Sequence, residues 1–313
     1  MAGPGQVLVR VHASGVNPLD AKIAAGKADH ARVALPAVLG IDLAGAVDSV
    51  GAGVQGFAPG DRVYGMTGGI GGIQGSLAEY AVADARLLAP MPAHLSMRDA
   101  AALPLIFITA WEGLVDRARL NVDGKGKKVL VHGGAGGVGH MAVQLAVALG
   151  AEVYATGRAG QRERIEGMGA VFIDYRAATV EDYVQQYTGG EGFDVVYDTV
   201  GGATLDASFK AARHYHGHVV SCLGWGTHAL APLSFRAATY SGVFTLLPLL
   251  SGRGRANHGA IMREAGKLIE VGQLKVMLDP TRYSFDAASV GAAHQALTNG
   301  QARGKLVVEI ATE

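Results

Sequence analysis

A glycine-rich segment with an apolar run before it is the strongest chemical signal in the sequence. Gly134, Gly136 and Gly139 satisfy the pattern G-x-G-x-x-G directly after Val129–His132, and a helical pattern follows. In this context the glycines permit a tight turn, a close approach of backbone to a pyrophosphate, and close packing of the helix. The N-terminus of that helix would add N–H donors and a positive dipole. The segment predicts a dinucleotide site, and the alternative is a glycine-rich turn that binds nothing.

The end of the second strand of such a unit indicates which dinucleotide is bound. A site for NAD normally places Asp or Glu there, to bind the ribose 2′-hydroxyl. This chain has Thr156-Gly157-Arg158, followed by Arg162 and Arg164. An arginine can form charge-assisted bonds to a 2′-phosphate, so Arg158 predicts NADPH. We expect Arg162 and Arg164 to solvate the next helix, and the alternative is that Arg158 does so too.

The sequence positions of the histidines and of the single cysteine indicate structural rather than catalytic or metal-binding roles. His132 and Cys222 fall on predicted strands and are expected in the core. His214, His216 and His218 alternate, but no carboxylate accompanies them in sequence, so a metal site is not predicted. Because Cys222 is the only cysteine, an intrachain disulfide and a multi-cysteine zinc or iron–sulfur site are excluded. A reducing cytoplasm is the simplest expected location.

The pattern of predicted secondary structure that must position these residues changes twice along the chain. Residues 1–98 read as short strands broken by turns, residues 99–265 alternate strands with helices, and residues 266–313 return to short strands. Alternation of strands and helices predicts βαβ units with a parallel sheet. The predicted strands are Val7–Val11, Ala44–Val50, Arg62–Met66, Lys127–His132, Glu152–Thr156, Val171–Asp174, Phe193–Asp198, His218–Leu223 and Lys305–Ile310. The predicted helices are Met97–Leu105, His140–Leu149, Gln161–Met168 and Ala265–Val271.

Composition limits the class of protein. The 27 basic and 27 acidic residues cancel, which argues against a nucleic-acid partner. With 49% hydrophobic and 17% charged residues the chain can bury a large core. The longest apolar segment, Val243–Leu250, is far shorter than the roughly 20 residues that cross a bilayer, so no membrane association is expected.

Taken together, a series of ordered motifs resembles the medium-chain dehydrogenase/reductases, in the zinc-free quinone oxidoreductase (zeta-crystallin-like) group. The resemblance covers essentially the whole chain and implies a Rossmann doubly wound parallel sheet domain inserted into a GroES-like β-barrel domain. Its motifs are Gly15–Asp20, Gly40–Gly45, Gly60–Val63, Ala78–Tyr80, Ala101–Pro104, Thr109–Trp111, the glycine loop, Asp198–Gly202 and Gly304-Lys305.

The resemblance also implies which residues form the site. Asn17 would be the catalytic residue, beside the nicotinamide and the substrate carbonyl, and the alternative is a turn residue before Pro18. The implied cofactor contacts are Ala135, Gly136, Gly137, Val138, Gly139, Gly157, Arg158, Tyr175 and Thr199, with Thr109, Leu223, Gly224 and Lys305 toward the nicotinamide. Tyr175 could instead be a half-buried packing residue.

Two departures from the wider family matter. Its zinc enzymes carry a Cys near Ser14 and a His–Glu pair where this chain has Ile41-Asp42, so we expect no catalytic zinc. No four-cysteine lobe for a structural zinc is present either. The family usually has further residues before the stretch Gly3–Gly5, so the first barrel part is expected to be N-terminally truncated.

These features predict a zinc-independent, NADPH-dependent oxidoreductase that transfers a hydride to a quinone or an α,β-unsaturated carbonyl. Such an acceptor is already electron-poor, and Asn17 could bind the developing oxyanion. One alternative is a trans-2-enoyl thioester reductase, although Ala21–Gly26 offers no tyrosine as proton donor. Another is a low-turnover NADPH-binding structural or RNA-associated protein. We also expect a homodimer that pairs the apolar segment Ala238–Leu247 as an edge strand.

Overall fold

Two compact units make up the chain in the computed structural model, which describes residues 1–311. The first unit consists of residues 1–108 and of the chain from residue 245 onward, and the second consists of residues 109–244. The second unit is therefore inserted into the first, as predicted. The bounds lie later than residue 98 and earlier than residue 265, where the sequence pattern had changed.

The first unit is built on a mostly antiparallel sheet. Alternation along the first strand directs Val7, Val9 and Val11 inward, and all three are fully buried. The seven-stranded sheet has the order β12-β13-β1-β2-β3-β5, and β4 also pairs with β1. Numbered along the chain, these strands are β1 (Gln6–Gly15), β2 (Asp42–Val50), β3 (Arg62–Met66), β4 (Tyr80–Asp84), β5 (Leu88–Pro90), β12 (Tyr283–Ser284) and β13 (Val307–Glu309).

The helices of this unit explain where its second part begins. They are α1 (Pro18–Ala24), α2 (Met97–Ala101), α3 (Pro104–Trp111, which runs into the second unit), α10 (Leu247–Ser251), α11 (Arg255–Glu270) and α12 (Ala287–Thr298). Short 3-10 turns cover Asp29–Ala31 and Ala85–Leu87. Helix α11 packs on the antiparallel sheet: the Tyr64 hydroxyl donates to the Met262 carbonyl at 2.6 Å, and Arg255 pairs with Asp84 at 3.0 Å. These contacts bind residues 245–265 to the first unit rather than to the parallel sheet.

The prediction of a single helix over Met97–Leu105 is wrong, because the structure has two helices in this region. Helix α2 ends at Ala101, and α3 begins at Pro104. Proline lacks an N–H and disfavours helical backbone in the residue before it. Pro104 therefore ends the first helix and starts the second.

The second unit is a doubly wound parallel sheet, which confirms the predicted fold class. Its six strands have the order β11-β10-β9-β6-β7-β8, and every pairing between neighbours is parallel. The strands are β6 (Lys128–His132), β7 (Glu152–Gly157), β8 (Val171–Asp174), β9 (Val195–Asp198), β10 (His218–Ser221) and β11 (Thr239–Gly242). The chain order reverses between β6 and β9, and ligands of such sheets bind where the loops diverge there.

Helices cover this sheet. They are α4 (Leu120–Asp123), α5 (Gly137–Ala148), α6 (Arg162–Glu166), α7 (Val180–Thr188), α8 (Ala203–Ala211) and α9 (Ala231–Phe235), with a π-helix at Glu112–Arg117 and a 3-10 turn at Ala159–Gln161. One core cluster joins Leu130 and Val196 of the sheet to Phe209 of α8. Within residues 1–311 no helix is both long and apolar enough to cross a bilayer.

Candidate functional site: a dinucleotide cradle and a buried polar cluster

The glycine loop after β6 is held by the end of the neighbouring strand β7. The Gly133 N–H donates to the Thr156 hydroxyl at 3.1 Å, and the Gly134 N–H donates to the Thr156 carbonyl at 3.0 Å. Inside the loop, the Gly136 N–H donates to the Gly133 carbonyl at 2.8 Å. Thr156 therefore shapes the loop, a role that the sequence pattern did not reveal.

Each glycine of the motif meets a different constraint. A Cβ at Gly134 would lie 2.6 Å from the Ala155 Cβ, and one at Gly139 would lie 2.1 Å from the Gly133 carbonyl oxygen. A Cβ at Gly136 would meet only the Gly133 oxygen, at 3.1 Å. Two positions thus pack the loop against strand and helix, while Gly136 leaves open space in front of the N-terminus of α5. That space fits a pyrophosphate, which the backbone N–H groups and the helix dipole would bind.

Arg158 and Tyr175 meet at the ends of two adjacent strands. Gly157 of β7 pairs with Asp174 of β8, so the residues that follow these strands lie side by side. The Arg158 Nε donates to the Tyr175 hydroxyl at 3.2 Å. The guanidinium lowers the pKa of Tyr175, and Arg176 contributes in the same direction. Both side chains are exposed, so a positively charged group and a phenol face solvent beside the β7 terminus.

The neighbouring arginine Arg162 has a different environment. It pairs with Glu166 one turn along α6 at 3.0 Å, and its guanidinium lies 4.5 Å from the centre of the Phe172 ring. Arg162 therefore belongs to the helix surface. Gly157 is tightly packed, because a Cβ there would lie 2.7 Å from the Ile165 Cδ1.

On the other side of the switch point, Asp198 organises the loop after β9. Its buried carboxylate accepts the Val200 and Gly201 N–H groups, each at 3.0 Å, and the Ser221 hydroxyl at 2.7 Å. The Thr199 hydroxyl donates to the His132 carbonyl at 2.6 Å, which ties this loop to the end of β6. Thr199 is thus fixed beside the glycine loop.

The remaining predicted contacts of the second unit lie on two further segments. The Leu223 N–H donates to the Ser221 hydroxyl at 3.0 Å, directly after β10. A Cβ at Gly224 would lie 2.3 Å from the Tyr240 hydroxyl oxygen, so a larger residue there would require the Tyr240 side chain to move. Thr109 is buried on α3, and its carbonyl accepts the Tyr197 hydroxyl at 2.6 Å.

In the first unit, Asn17, Asp42 and Lys305 form a buried polar cluster. The Asn17 Nδ2 donates to the Asp42 Oδ2 at 2.9 Å, and the Lys305 ammonium donates to the same oxygen at 3.2 Å. The ammonium also donates to the Asn17 Oδ1. The exposures of Asn17, Asp42 and Lys305 are 1%, 0% and 5%, so the opposite charges of Asp42 and Lys305 compensate each other inside the protein. Lys305 faces this cluster, and its contact with a cofactor stays a prediction.

A second carboxylate lies next to the cluster. The Asp20 Oδ2 accepts the Asn17 backbone N–H at 2.8 Å at the start of α1. Burial, aided by repulsion from Asp42, raises the pKa of Asp20 to about 7. Burial also raises the pKa of Asp42, against the opposing effects of Lys305 and of its hydrogen bonds. No local pattern of residues indicates the environment of Asp20, because that environment depends on contacts between distant segments.

The positions that carry zinc ligands in the zinc enzymes of the wider family have residues with other roles in this chain. The Ser14 hydroxyl bonds the Ser76 hydroxyl at 2.7 Å, and Ile41 is fully buried. Among the residues that the structure describes, no three His, Cys, Asp or Glu side chains form a group that could hold a metal ion.

Two family models match parts of the chain. The family model described as an alcohol dehydrogenase GroES-like domain matches residues 3–93, and the model described as a zinc-binding dehydrogenase matches residues 168–308. The chain is also 35% identical to an NADPH-dependent alkenal/one oxidoreductase of Arabidopsis thaliana, over 97% of this chain and 72% of that protein. It belongs to the medium-chain dehydrogenase/reductase superfamily.

Other similar proteins differ in length and origin. The chain is 37% identical to the spectinabilin polyketide synthase system protein NorB of Streptomyces orinoci, over 97% of this chain, and it spans only 13% of the length of that protein.

Solved structures of this superfamily share the whole fold. An alcohol dehydrogenase superfamily protein from Novosphingobium aromaticivorans is 54% identical, with a TM-score of 0.95 over 99% of this chain and 93% of the other. A mycobacterial quinone oxidoreductase is 28% identical, with a TM-score of 0.83 over 99% and 92%. The predicted family and fold class are confirmed.

Proposed function

We propose that this superfamily member is an NADPH-dependent reductase that transfers a hydride to a quinone or an α,β-unsaturated carbonyl without a metal ion. The observation that carries the cofactor choice is the Arg158–Tyr175 pair at the ends of β7 and β8, beside the glycine loop. No Asp or Glu stands between Thr156 and Gln161, where a site for NAD would place one.

Binding of the cofactor is divided among the loops of the parallel sheet. The Ala135–Gly139 segment would hold the pyrophosphate of the cofactor. The adenosine 2′-phosphate would contact Gly157, Arg158 and Tyr175. Thr199 would contact the part of the cofactor next to the glycine loop. Thr109, Leu223 and Gly224 are proposed as contacts toward the nicotinamide. The open space in front of Gly136 and the exposed guanidinium of Arg158 support this division.

When bound, the nicotinamide supplies the hydride. We assign to Asn17 the stabilisation of the negative charge that develops on the acceptor oxygen, through the Nδ2 hydrogen that Asp42 does not accept. At 1% exposure this donor is nearly free of water, so its hydrogen bond to an acceptor in direct contact would be strong. The acceptor must be electron-poor, because a quinone or enone forms a stabilised anion that takes its proton from water.

The names of similar proteins support this class of acceptor. The Arabidopsis relative is named for NADPH and for alkenals and enones, and the mycobacterial structure for quinones. The resemblance to part of a polyketide synthase favours a second candidate, reduction of a trans-2-enoyl thioester.

Steady-state oxidation of NADPH, followed by its absorbance, tests the proposal. Phenanthrenequinone and an acyclic enone should each be reduced, and Asn17→Ala should lower kcat by about 100-fold, as removal of an oxyanion donor does elsewhere. Turnover of crotonyl-CoA alone would instead select the thioester reductase. Tight NADPH binding without turnover of any acceptor would indicate a nucleotide-binding protein that is not an enzyme.

A further inference from the structure

The Lys305–Asp42 ion pair is enclosed within the first unit. The Lys305 Nζ lies 3.2 Å from the Asp42 Oδ2, and the two side chains are 5% and 0% exposed. A charge so deeply buried is tolerated only with a partner, and removal of one member leaves the other uncompensated. We therefore expect this ion pair either to contribute strongly to the stability of the fold or to have a functional role.

Lys305 and Asp42 each form a hydrogen bond with the Asn17 carboxamide, one at its oxygen and one at its nitrogen. An ammonium can only donate hydrogen bonds and a carboxylate can only accept them. The Asn17 Oδ1 must face Lys305 and the Nδ2 must face Asp42, as the structure has them. The alternative amide orientation would place Nδ2 against the ammonium and Oδ1 against the carboxylate, and both contacts would be repulsive. Only one orientation is compatible with this pair.

Backbone contacts hold the three residues in register. The Asn17 N–H donates to Asp20 at 2.8 Å, and the Leu105 N–H donates to the Asp42 Oδ1, also at 2.8 Å. The Val16 N–H donates to the Leu306 carbonyl at 2.9 Å, which brings the segment of Lys305 alongside Asn17 across 288 positions of sequence. The ion pair and the amide thus meet through three separate segments.

We propose that Lys305 is a positioning residue: together with Asp42 it fixes the Asn17 carboxamide so that one Nδ2 hydrogen stays available for the acceptor oxygen. This inference rests on the proposed function of Asn17. It assigns Lys305 an action through Asn17, in place of the predicted cofactor contact. The ammonium takes part in no proton transfer in this proposal.

Two variants separate positioning from mere charge compensation. Lys305→Met keeps the length of the side chain but leaves the Asp42 carboxylate unpaired, so the melting temperature should fall by roughly 10 °C. Adding Asp42→Asn removes the unpaired charge and should restore most of that loss. It cannot restore the opposed donor and acceptor that orient Asn17, so kcat should stay about 100-fold below wild type in both variants.

Further readouts make the result specific. The affinity for NADPH, measured by quenching of protein fluorescence, should change less than about twofold, because the proposed phosphate contacts lie on the second unit. A deuterium isotope effect with NADPH labelled at the transferred position should be larger in the variants than in wild type. Lys267→Met is the matched control, since Lys267 is exposed on α11 and pairs with Glu264.

The orientation itself can be observed without turnover. The chain has four asparagines, so a sample with ¹⁵N-labelled asparagine gives few side-chain amide signals, and the loss of one pair in Asn17→Asp assigns them. In wild type the Asn17 amide should exchange slowly and give one sharp pair, and in both Lys305 variants the pair should shift and broaden.

The outcomes are distinct. Recovery of kcat together with the melting temperature in the double variant, or an unchanged Asn17 signal in Lys305→Met, would overturn the positioning role. If wild type reduces none of the acceptors, the proposed function fails, while the amide signals still decide whether Lys305 orients Asn17.

Discussion

The Arg158 Nε lies 3.2 Å from the Tyr175 hydroxyl oxygen, joining the residues that follow two adjacent parallel strands. This pair places a permanent positive charge and a phenol side by side at the surface. Because the pyrophosphate is common to both dinucleotides, only a feature at this position can distinguish them.

We therefore predict that NADPH is preferred over NADH and that Arg158→Ala removes most of the preference. A charge-assisted hydrogen bond corresponds to about one to two orders of magnitude in kcat/KM. Tyr175→Phe should have a smaller effect, since it removes a neutral partner. The ratio of kcat/KM for the two cofactors measures each effect.

Arg162→Ala is the matched control for that experiment. It removes a neighbouring arginine that is paired with Glu166 and stacked on Phe172, so the cofactor preference should stay unchanged. Equal kcat/KM for NADPH and NADH in wild type would contradict the assignment of Arg158.

The second prediction concerns metal. The protein should retain full reductase activity after prolonged treatment with a chelator, and elemental analysis should find no stoichiometric zinc. The reason is the ligand set: Ser14 bonds Ser76, and Ile41 offers no donor atom. Stoichiometric zinc whose removal abolishes activity would disprove this prediction.

The third prediction is a homodimer formed through the edge strand β11. This strand pairs with β10 on one side and ends the sheet on the other, and Thr239 and Tyr240 are exposed along it. An unpaired edge invites association with a second copy. Light scattering at micromolar concentration should give twice the mass of the chain, and Thr239→Lys should shift the protein toward monomer. A monomeric wild type would refute the proposed interface.

Local patterns were sufficient to predict the parallel sheet and the glycine loop. Gly134, Gly136 and Gly139 act within one turn, and together with the apolar run before them and the helical pattern after them they predict the strand, loop and helix. The break before Pro104 was equally local, but the apolar run around it masked the proline. In the first unit the sequence motifs located Asn17 but could not give its surroundings.

Contacts between distant segments explain what the sequence did not show. Lys305 donates a hydrogen bond to Asn17, which lies 288 positions away in the sequence. The Thr156 hydroxyl, on the neighbouring strand, accepts a hydrogen bond from the glycine loop. Lys305 was expected to contact the cofactor because of its motif, whereas its position against Asp42 follows from the pairing of β13 with β1. A residue's charge is visible in a sequence, but the partner that compensates it is visible only in the fold.

The last prediction is a pH-dependent stability that originates from Asp20. Its carboxylate is buried near Asp42, and the Lys305 ammonium is hydrogen-bonded to Asp42 rather than to Asp20. Burial raises the pKa of Asp20 from 3.8 to about 7. Between these values the folded protein binds one more proton than the unfolded chain, so the free energy of unfolding contributed by this group falls as pH rises, by up to about 1.4 kcal/mol per pH unit.

Asp20→Asn removes this titration and keeps an oxygen that can accept the Asn17 N–H. The stability of the variant relative to wild type, measured by urea unfolding, should therefore increase from about pH 4 to about pH 7 and stay constant above. Asp48→Asn, at an exposed position of β2, corrects for the loss of an acidic residue as such. A difference between Asp20→Asn and wild type that is the same at every pH would show that Asp20 is ionised throughout the range, and that the cluster holds two carboxylates against a single ammonium.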